Sequence, residues 1–376
     1  MGLTTGTGAP AVCLAVDAGN SKTDVAVVAA DGTVLGSARG GGFRPPVAGV
    51  DASLDDLGTT VERALHACGN GTSGPATGAG ARGVEPYGSE AYGAEAYGAE
   101  AYAAGRARVR APLPHLSACL ANVDLPREEE RMAPALEARG WGRETRIAND
   151  TFAILRAGLP DDGSIRHGVA LVCGTGVNCV GRDAEGRTHR FPAVGSLSGD
   201  WGGGGGLSTE AVWYAARAED GRGEPTRLAE TLPAHFGLTS MYALIEALHL
   251  GDLPHSRRYE LAPLVFESAA EGDPIALGLV HRQADELVTM ARATLDRLGL
   301  LDTPTPVYLG GSVVAARHPI LDDRLREQLA RHAPKATPHI VTAPPVLGAA
   351  LLGLDAAGAP PDAHARLRNH YRGGGV

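Results

Sequence analysis

Apolar and polar positions along the first forty residues predict three short strands. Residues 12–16 are an unbroken apolar run that ends at Asp17, the mark of a strand buried on both faces. The turn Ala18-Gly19-Asn20-Ser21 leads to a second strand over about 23–29. Asp31-Gly32, a strong hairpin signal, introduces a third over 33–37. Leu54, Leu57, Val61 and Leu65 then recur at helical spacing, so a helix should end near Cys68.

The pattern breaks from Gly69 to about Gly105. Tyr87, Tyr92, Tyr97 and Tyr102 recur every fifth residue in a Tyr-Gly-Ser/Ala-Glu-Ala repeat. Five residues advance about 140° on a helix and change faces on a strand, so these tyrosines line no single face of either. The segment 70–106 reads as a disordered insertion, with a partner-binding repeat as the alternative.

Regular patterning resumes with a strand over 116–123, a helix over 128–139 and a short strand at 146–147. Asn149-Asp150 follow, and a helix begins at Phe152. From Val169 the opening design recurs: strand 169–173, turn Gly174-Thr175-Gly176, strand 178–181, then an acidic-glycine turn at Glu185-Gly186. Two copies of a three-stranded meander with helices predict a duplicated α/β domain, 11–150 and 151–355, with a cleft between the halves. The second half turns helical. Five glycines, 202–206, lead into a helix over 207–218, and further helices are expected over 228–236, 242–248, 261–272 and 275–298. A strand at 307–309, a helix opened by Gly310-Gly311-Ser312, and helices over 322–332 and 346–354 complete it. Residues 356–376 read as a flexible tail.

Composition narrows the function classes. The chain has 376 residues, 44% hydrophobic, with a net charge of −9 and no basic tract longer than two, which argues against a nucleic-acid partner. Lys22 and Lys335 are the only lysines. The five cysteines form no CxxC and the histidines no HxH or HExxH, so reduced, buried thiols are expected rather than a transition-metal site. MGLTTGTGAP has no signal-peptide character and no run has the ~18 apolar residues of a membrane span. A cytoplasmic protein is expected, without a membrane partner.

Three glycine-centred turns end apolar strands: Asp17-Ala18-Gly19-Asn20-Ser21-Lys22-Thr23, Gly174-Thr175-Gly176 and Gly310-Gly311-Ser312. A turn without side-chain bulk lets phosphate oxygens approach backbone N–H groups. One such turn would be ordinary hairpin chemistry; three at corresponding strand ends, with acids beside them, point to a nucleotide. No P-loop motif occurs.

Those residues resemble the five motifs of the actin/hexokinase/Hsp70 superfamily, and within it the BadF/BadG/BcrA/BcrD ATPase family, in its N-acetylglucosamine kinase-like branch. Asp17 to Thr23 match the first phosphate motif and Gly174 to Val177 the second. Asn149-Asp150 match the pair that carries the catalytic acid. Gly199-Asp200-Trp201-Gly202-Gly203-Gly204 match a later glycine loop. Gly310-Gly311-Ser312, with Pro345-Val346-Leu347-Gly348-Ala349, match the adenosine motif. The order holds from Val12 to about Leu354. Two positions depart: Gly42-Phe43-Arg44-Pro45-Pro46 stands where amino-sugar kinases of this type carry a substrate-contacting Asn, and Trp201 replaces a Glu. The cysteine clusters of the zinc-binding ROK kinases and the iron–sulfur activators are missing.

The resemblance implies duplicated ribonuclease H-like (actin-like ATPase) domains with a nucleotide and substrate cleft between them. It implies ATP and Mg²⁺ as cofactors, a small-molecule sugar as substrate, and leaves a homodimer open. Asp17 would hold Mg²⁺ through water. ATP would lie against Gly19, Asn20, Ser21, Lys22, Thr23, Gly174, Thr175, Gly176, Gly310, Gly311, Ser312 and Gly348. Asn149, Asp150, Asp200 and Trp201 would contact the sugar, with Asp150 as general base. The plainer reading of Asp150 is a helix N-cap, and of Lys22 a solvated turn charge. The activity implied is phosphorylation of the 6-hydroxyl of N-acetylglucosamine or a related amino sugar. The alternatives are a non-kinase ATPase switch acting on a protein partner and a sugar-binding regulator without catalysis.

Overall fold

The computed structural model describes residues 9–68 and 109–372, so the pentad segment and its assignment as a disordered insertion lie outside the described residues. The first half contains β1 (Ala11–Ala18), β2 (Thr23–Ala29), β3 (Val34–Gly40), α1 (Pro45–Ala48), α2 (Val50–Ala67), β4 (Leu113–Leu120), α3 (Pro126–Glu137), β5 (Gly142–Asn149) and α4 (Thr151–Gly158). The second contains β6 (Gly168–Cys173), β7 (Val177–Arg182), β8 (Thr188–Arg190), α5 (Gly203–Glu219), α6 (Leu228–His235), α7 (Met241–Leu250), α8 (Ala262–Ala270), α9 (Pro274–Arg297), β9 (Thr305–Gly310), α10 (Ser312–Ala315), α11 (Pro319–His332), β10 (Ala336–Ile340), α12 (Pro345–Ala356) and α13 (Pro361–Arg372).

The strands form two five-stranded sheets, β3-β2-β1-β4-β5 and β10-β9-β6-β7-β8. Read from the meander outward, both run third, second, first, fourth, fifth. In each the meander pairs antiparallel and the two later strands join parallel. The duplication expected from the repeated hydrophobic pattern is therefore a duplication of topology. Parallel register places Asp17 beside Cys119 and Leu120 beside Asn149, so these chemistry-bearing positions share the carboxyl edge of one sheet, where open α/β sheets hold ligands.

Strand alternation explains how the layers stack. Leu14, Val16, Val25 and Val27 face Leu54, Leu57 and Val61 of α2. The opposite face presents Cys13, Ala15, Ala26 and Val28 to Leu347, Ala350, Leu351 and Leu354 of α12. A Cβ on Gly353 would overlap Cys13 Sγ, so small residues set how near α12 lies. On the second sheet Ala170, Val180 and Tyr308 pack on Ile154 and Leu155 of α4. Each copy of the topology thus lends a helix to the other: α4, which follows the last strand of the first copy just past the expected boundary at 150, covers the second sheet, and α12 covers the first. The two helices touch where Gly348 meets Ala153, with no room for a side chain between them.

Three expectations are corrected. Residues 356–376 are not a loose tail as far as Arg372, because α13 buries Ala363 and Leu367. Its Arg368 donates to the carbonyls of Ala157 and Leu159 and pairs with Asp161. The glycines 203–206 do not precede a helix but form its first turn. A strand absent from the sequence reading, β10, lies at the sheet edge, where a proline such as Pro338 is tolerated. Among the described residues no helix is long and apolar enough to cross a membrane, and the five cysteines are buried and free.

Candidate active site

The first turn is held from behind and open in front. Gly19 N–H closes the hairpin on Lys22 O at 2.9 Å, and Gly19 O accepts from Phe43 N–H. Arg44 Nε donates to Asn20 O at 2.7 Å. Asn122, in the left-handed region at φ 60, donates its amide to Asn20 Oδ1 and Phe43 O at 2.9 Å each. Asn20, Ser21 and Lys22 stay exposed while Thr23 is buried. Lys22 Nζ stands 3.8 Å from Asp24, whose carboxylate takes a two-pronged Arg39 guanidinium.

Further carboxylates extend from this turn, through Asp17 and Asp150 to Asp124 and Asp200. Asp17 is 5% exposed; burial, then the charges of Asp150 and Asp24, push its carboxyl well above the usual range. Burial likewise lifts Asp150 to about 6, against the pull of hydrogen bonds from Thr151. Asp124 is pushed up to about 7 by burial and by the charges of Asp150, Glu128 and Asp200, with Arg190 opposing. Asp200, on the far side, accepts from Ser198 Oγ and its N–H donates to Gly195 O. Uncompensated acids cost stability unless a ligand or cation answers them.

Asp150 begins α4 in helical geometry, yet its side chain makes no capping bond. The cap is supplied by Asn149, whose Oδ1 accepts from Thr151 N–H at 3.0 Å. Asn149 is 1% exposed and its Nδ2 donates to Asp124 Oδ1 at 2.7 Å. Asn178, from β7 of the other half, donates to Asn149 Oδ1 at 3.2 Å and lies 3.4 Å from Asp124 Oδ1. The neighbouring asparagine thus supplies the cap, and the Asp150 carboxylate keeps only weak contacts with Thr151.

The second and third turns interlock. Gly174 N–H donates to Gly176 O, while Gly174 O and Thr175 O accept from Gly204 and Gly205 N–H at 2.8 Å. The first turn of α5 therefore sits directly on the second turn, and Thr175 and Gly176 stay exposed. Gly203, at φ 70, has the Gly176 and Thr175 backbones where a Cβ would go, and Gly311, at φ 94, has the Cys173 carbonyl there. Only glycine satisfies both the backbone conformation and the space.

Residues 14–353 match the BadF/BadG/BcrA/BcrD ATPase family. The protein belongs to it. It is 30% identical over 245 residues to an N-acetyl-D-glucosamine kinase of Dictyostelium discoideum, covering 64% of this chain and 75% of that one. It is 24% identical over 198 residues to an N-acetylmuramic acid/N-acetylglucosamine kinase of Clostridium acetobutylicum, covering 52% of this chain and 63% of that one, just under two thirds of its length. Among solved structures, a candidate N-acetylglucosamine kinase from Chromobacterium violaceum superposes with a TM-score of 0.63 at 23% identity, covering 92% of this chain and all of that one. One from Porphyromonas gingivalis gives 0.57 at 17%, covering 91% and 98%. The fold is the duplicated actin-like one.

Within this family frame the expected residues separate into groups. Asp17, Asn149, Asp150 and the exposed parts of the first two turns gather at the carboxyl edge of the first sheet and the facing glycines. Asp200, from the second half, lies near enough to Asp124 for its charge to act there. Trp201 instead lies under Arg282, whose guanidinium stacks 4.0 Å from the ring centroid, and its Nε1 faces Glu210; one ring face is already taken. Gly348 is spent on the α4–α12 contact, and Gly310 packs on Ile154. Asp124 and Asn178 were missed. Asp124 stands between a strand and a proline-led helix, and Asn178 interrupts an apolar strand; both positions carry a polar group where the surrounding pattern calls for none.

Proposed function

We propose that the protein is an ATP-dependent kinase that transfers the γ-phosphoryl group of ATP to the 6-hydroxyl of N-acetylglucosamine or a related amino sugar. The observation that carries the reading is Asp150: a carboxylate released from capping, lifted to about 6, at the strand edge shared with the first glycine turn. A base poised near the working pH accepts the hydroxyl proton as oxygen attacks phosphorus. The family and its amino-sugar kinase members support the substrate class.

The residues suit ATP and Mg²⁺. Three side-chain-free turns leave room for phosphates, and Asp17 is an acid whose charge nothing nearby fully offsets. Among the described residues no three acids, histidines or cysteines stand close enough to hold an ion directly, which fits a hydrated Mg²⁺ contacted by Asp17 through water. When bound, the metal would neutralise charge on the transferring phosphate. On this reading Asn20, Ser21, Thr175 and Gly176 direct N–H and hydroxyl groups at phosphate, Lys22 lends charge, and Asp200 orients sugar hydroxyls. The halves 11–150 and 151–355 would close about α4 and α12, excluding water from the attack. A cytoplasmic location, where ATP is supplied, goes with this reading.

The deciding experiment compares kcat/KM for N-acetylglucosamine, N-acetylmuramic acid and glucose. A site that hydrogen-bonds an acetamido group leaves polar atoms unpaired when glucose enters, so an N-acetylated sugar should win by at least ~10-fold. Equal values would make the protein a general hexose kinase instead.

A further inference from the structure

We propose that Asp124 is a positioning residue for phosphoryl transfer: its carboxylate dictates the orientation of the Asn149 side-chain amide and thereby frees and aims the Asp150 carboxylate. The inference rests on the kinase reading. Three observations carry it.

Asp124 sits where two halves meet. The chain leaves β4 at Leu120, turns through Asn122, and enters α3 at Pro126. Glu128 Oε2 fixes this entry by accepting the N–H groups of Asp124 and Leu125, each at 2.9 Å. One oxygen, Oδ1, then receives Asn149 Nδ2 at 2.7 Å and faces Asn178 Nδ2 at 3.4 Å. Asn178 reaches this network from the second sheet, and its own Oδ1 is occupied by Cys179 N–H at 2.7 Å.

The hydrogen-bond logic is one-directional. An ionised carboxylate can only accept, so above its titration Asp124 holds the Asn149 NH₂ toward itself. Its carbonyl oxygen is thereby forced toward Thr151 N–H, where it caps α4. With the Thr151 N–H accepted at 3.0 Å by Asn149, Asp150 keeps only a weaker share of Thr151, whose Oγ1 lies 3.5 Å from its Oδ1. If Asn149 flipped, Thr151 N–H would lose its acceptor and the Asp150 side chain would be the nearest replacement. A base recruited as a cap is a base withdrawn from the hydroxyl.

Asp124 also carries its own titration, at about 7, one step above Asp150 at about 6. The groups facing it are Asp150 on α4, Glu128 on α3, Asp200 on the loop before α5, and Arg190 on β8, which is itself paired with Glu129. Arg190 is thus shared between two acids and offsets Asp124 only in part.

The experiment measures kcat, KM for ATP and for N-acetylglucosamine, and the pH profile of kcat for wild type, Asp124→Ala, Asp124→Asn and Asn178→Ala. Misplacing a catalytic group by about an ångström costs up to ~100-fold. Asp124→Ala should therefore lower kcat by about 10–100-fold while KM for ATP changes by less than about twofold. Asp124→Asn can still present an oxygen to Asn149, so it should recover to within about fivefold of wild type yet lose the profile's step near 7. Asn178→Ala should fall between them and keep that step.

A wild-type kcat in Asp124→Ala overturns the inference. So does an Asp124→Asn as inactive as the alanine variant, which would put the charge itself on substrate. Variants that lose only melting temperature also overturn it, by making the network structural. Should the alanine variant not fold, the asparagine variant decides through the presence or absence of the upper step. A wild type that phosphorylates no amino sugar removes the kinase reading and this inference together; an active wild type with unmoved variants removes the inference alone.

Discussion

Asp150 is available to a substrate because Asn149 serves the helix in its place. Exchanging it for Asn keeps size and shape but removes the proton acceptor. We expect Asp150→Asn to lower kcat by about 10²–10⁴-fold, with the Kd for ATP within about twofold because the turns and Asp17 are untouched. Melting temperature should barely move, since the wild-type side chain makes no capping bond. A wild-type kcat would remove Asp150 from the mechanism and leave Asp200 as the next acid to test. The pH dependence has a definite sign. Burial raises the Asp150 carboxyl to about 6, so the ionised, proton-accepting form prevails above that pH. In wild type kcat should fall as pH drops through about 6, and in Asp150→Asn this limb should vanish.

The helix behind that residue is pinned at both ends. At its start Asn149 takes the Thr151 N–H; at its end Arg368 of α13 donates to the carbonyls of Ala157 and Leu159, at 2.6 and 2.7 Å. Between them Arg156 pairs with Asp161 and with Asp355 of α12, and Asp355 also meets His364. α4 and the consecutive helices α12 and α13 are thereby tied around one charged knot. Arg368 and Asp161 are each 16% exposed at the side chain, so water screens their pairing poorly. Arg368→Ala should lower stability by about 2–3 kcal/mol, the worth of charged hydrogen bonds lost from a mostly buried site. Urea unfolding should show this as a lower midpoint at unchanged slope. A loss below ~0.5 kcal/mol would mean that α13 does not anchor α4.

Across the whole chain, two copies of one sheet topology face each other through exchanged helices. The Tyr-Gly-Ala-Glu-Ala segment interrupts the first copy between α2 and β4, elements that the sheet brings together regardless of what joins them. Removing residues 72–104 should leave kcat within about twofold and stability within about 1–2 kcal/mol, because each halving of a loop changes its closure cost by only ~0.6 kcal/mol and this deletion amounts to about two halvings. Loss of soluble expression or activity would show that the repeats serve the fold or the reaction.

Much of this was readable from the order of residues, because burial is periodic. Val169–Cys173 repeats the apolar run of Val12–Val16, and the glycine turns mark where backbone must do what side chains cannot, so topology and both phosphate turns were legible. The sequence alone thus determined the repeated sheets, the turns and the Asn149-Asp150 pair. It did not determine which asparagine or aspartate caps α4, that Trp201 stacks under Arg282, that Gly348 serves helix contact, or that Asp124 and Asn178 meet Asn149. Each of these depends on partners 25 to 81 positions away or more, and hydrogen bonds and close approaches at that separation exist only once the sheets are formed and the two halves have exchanged helices.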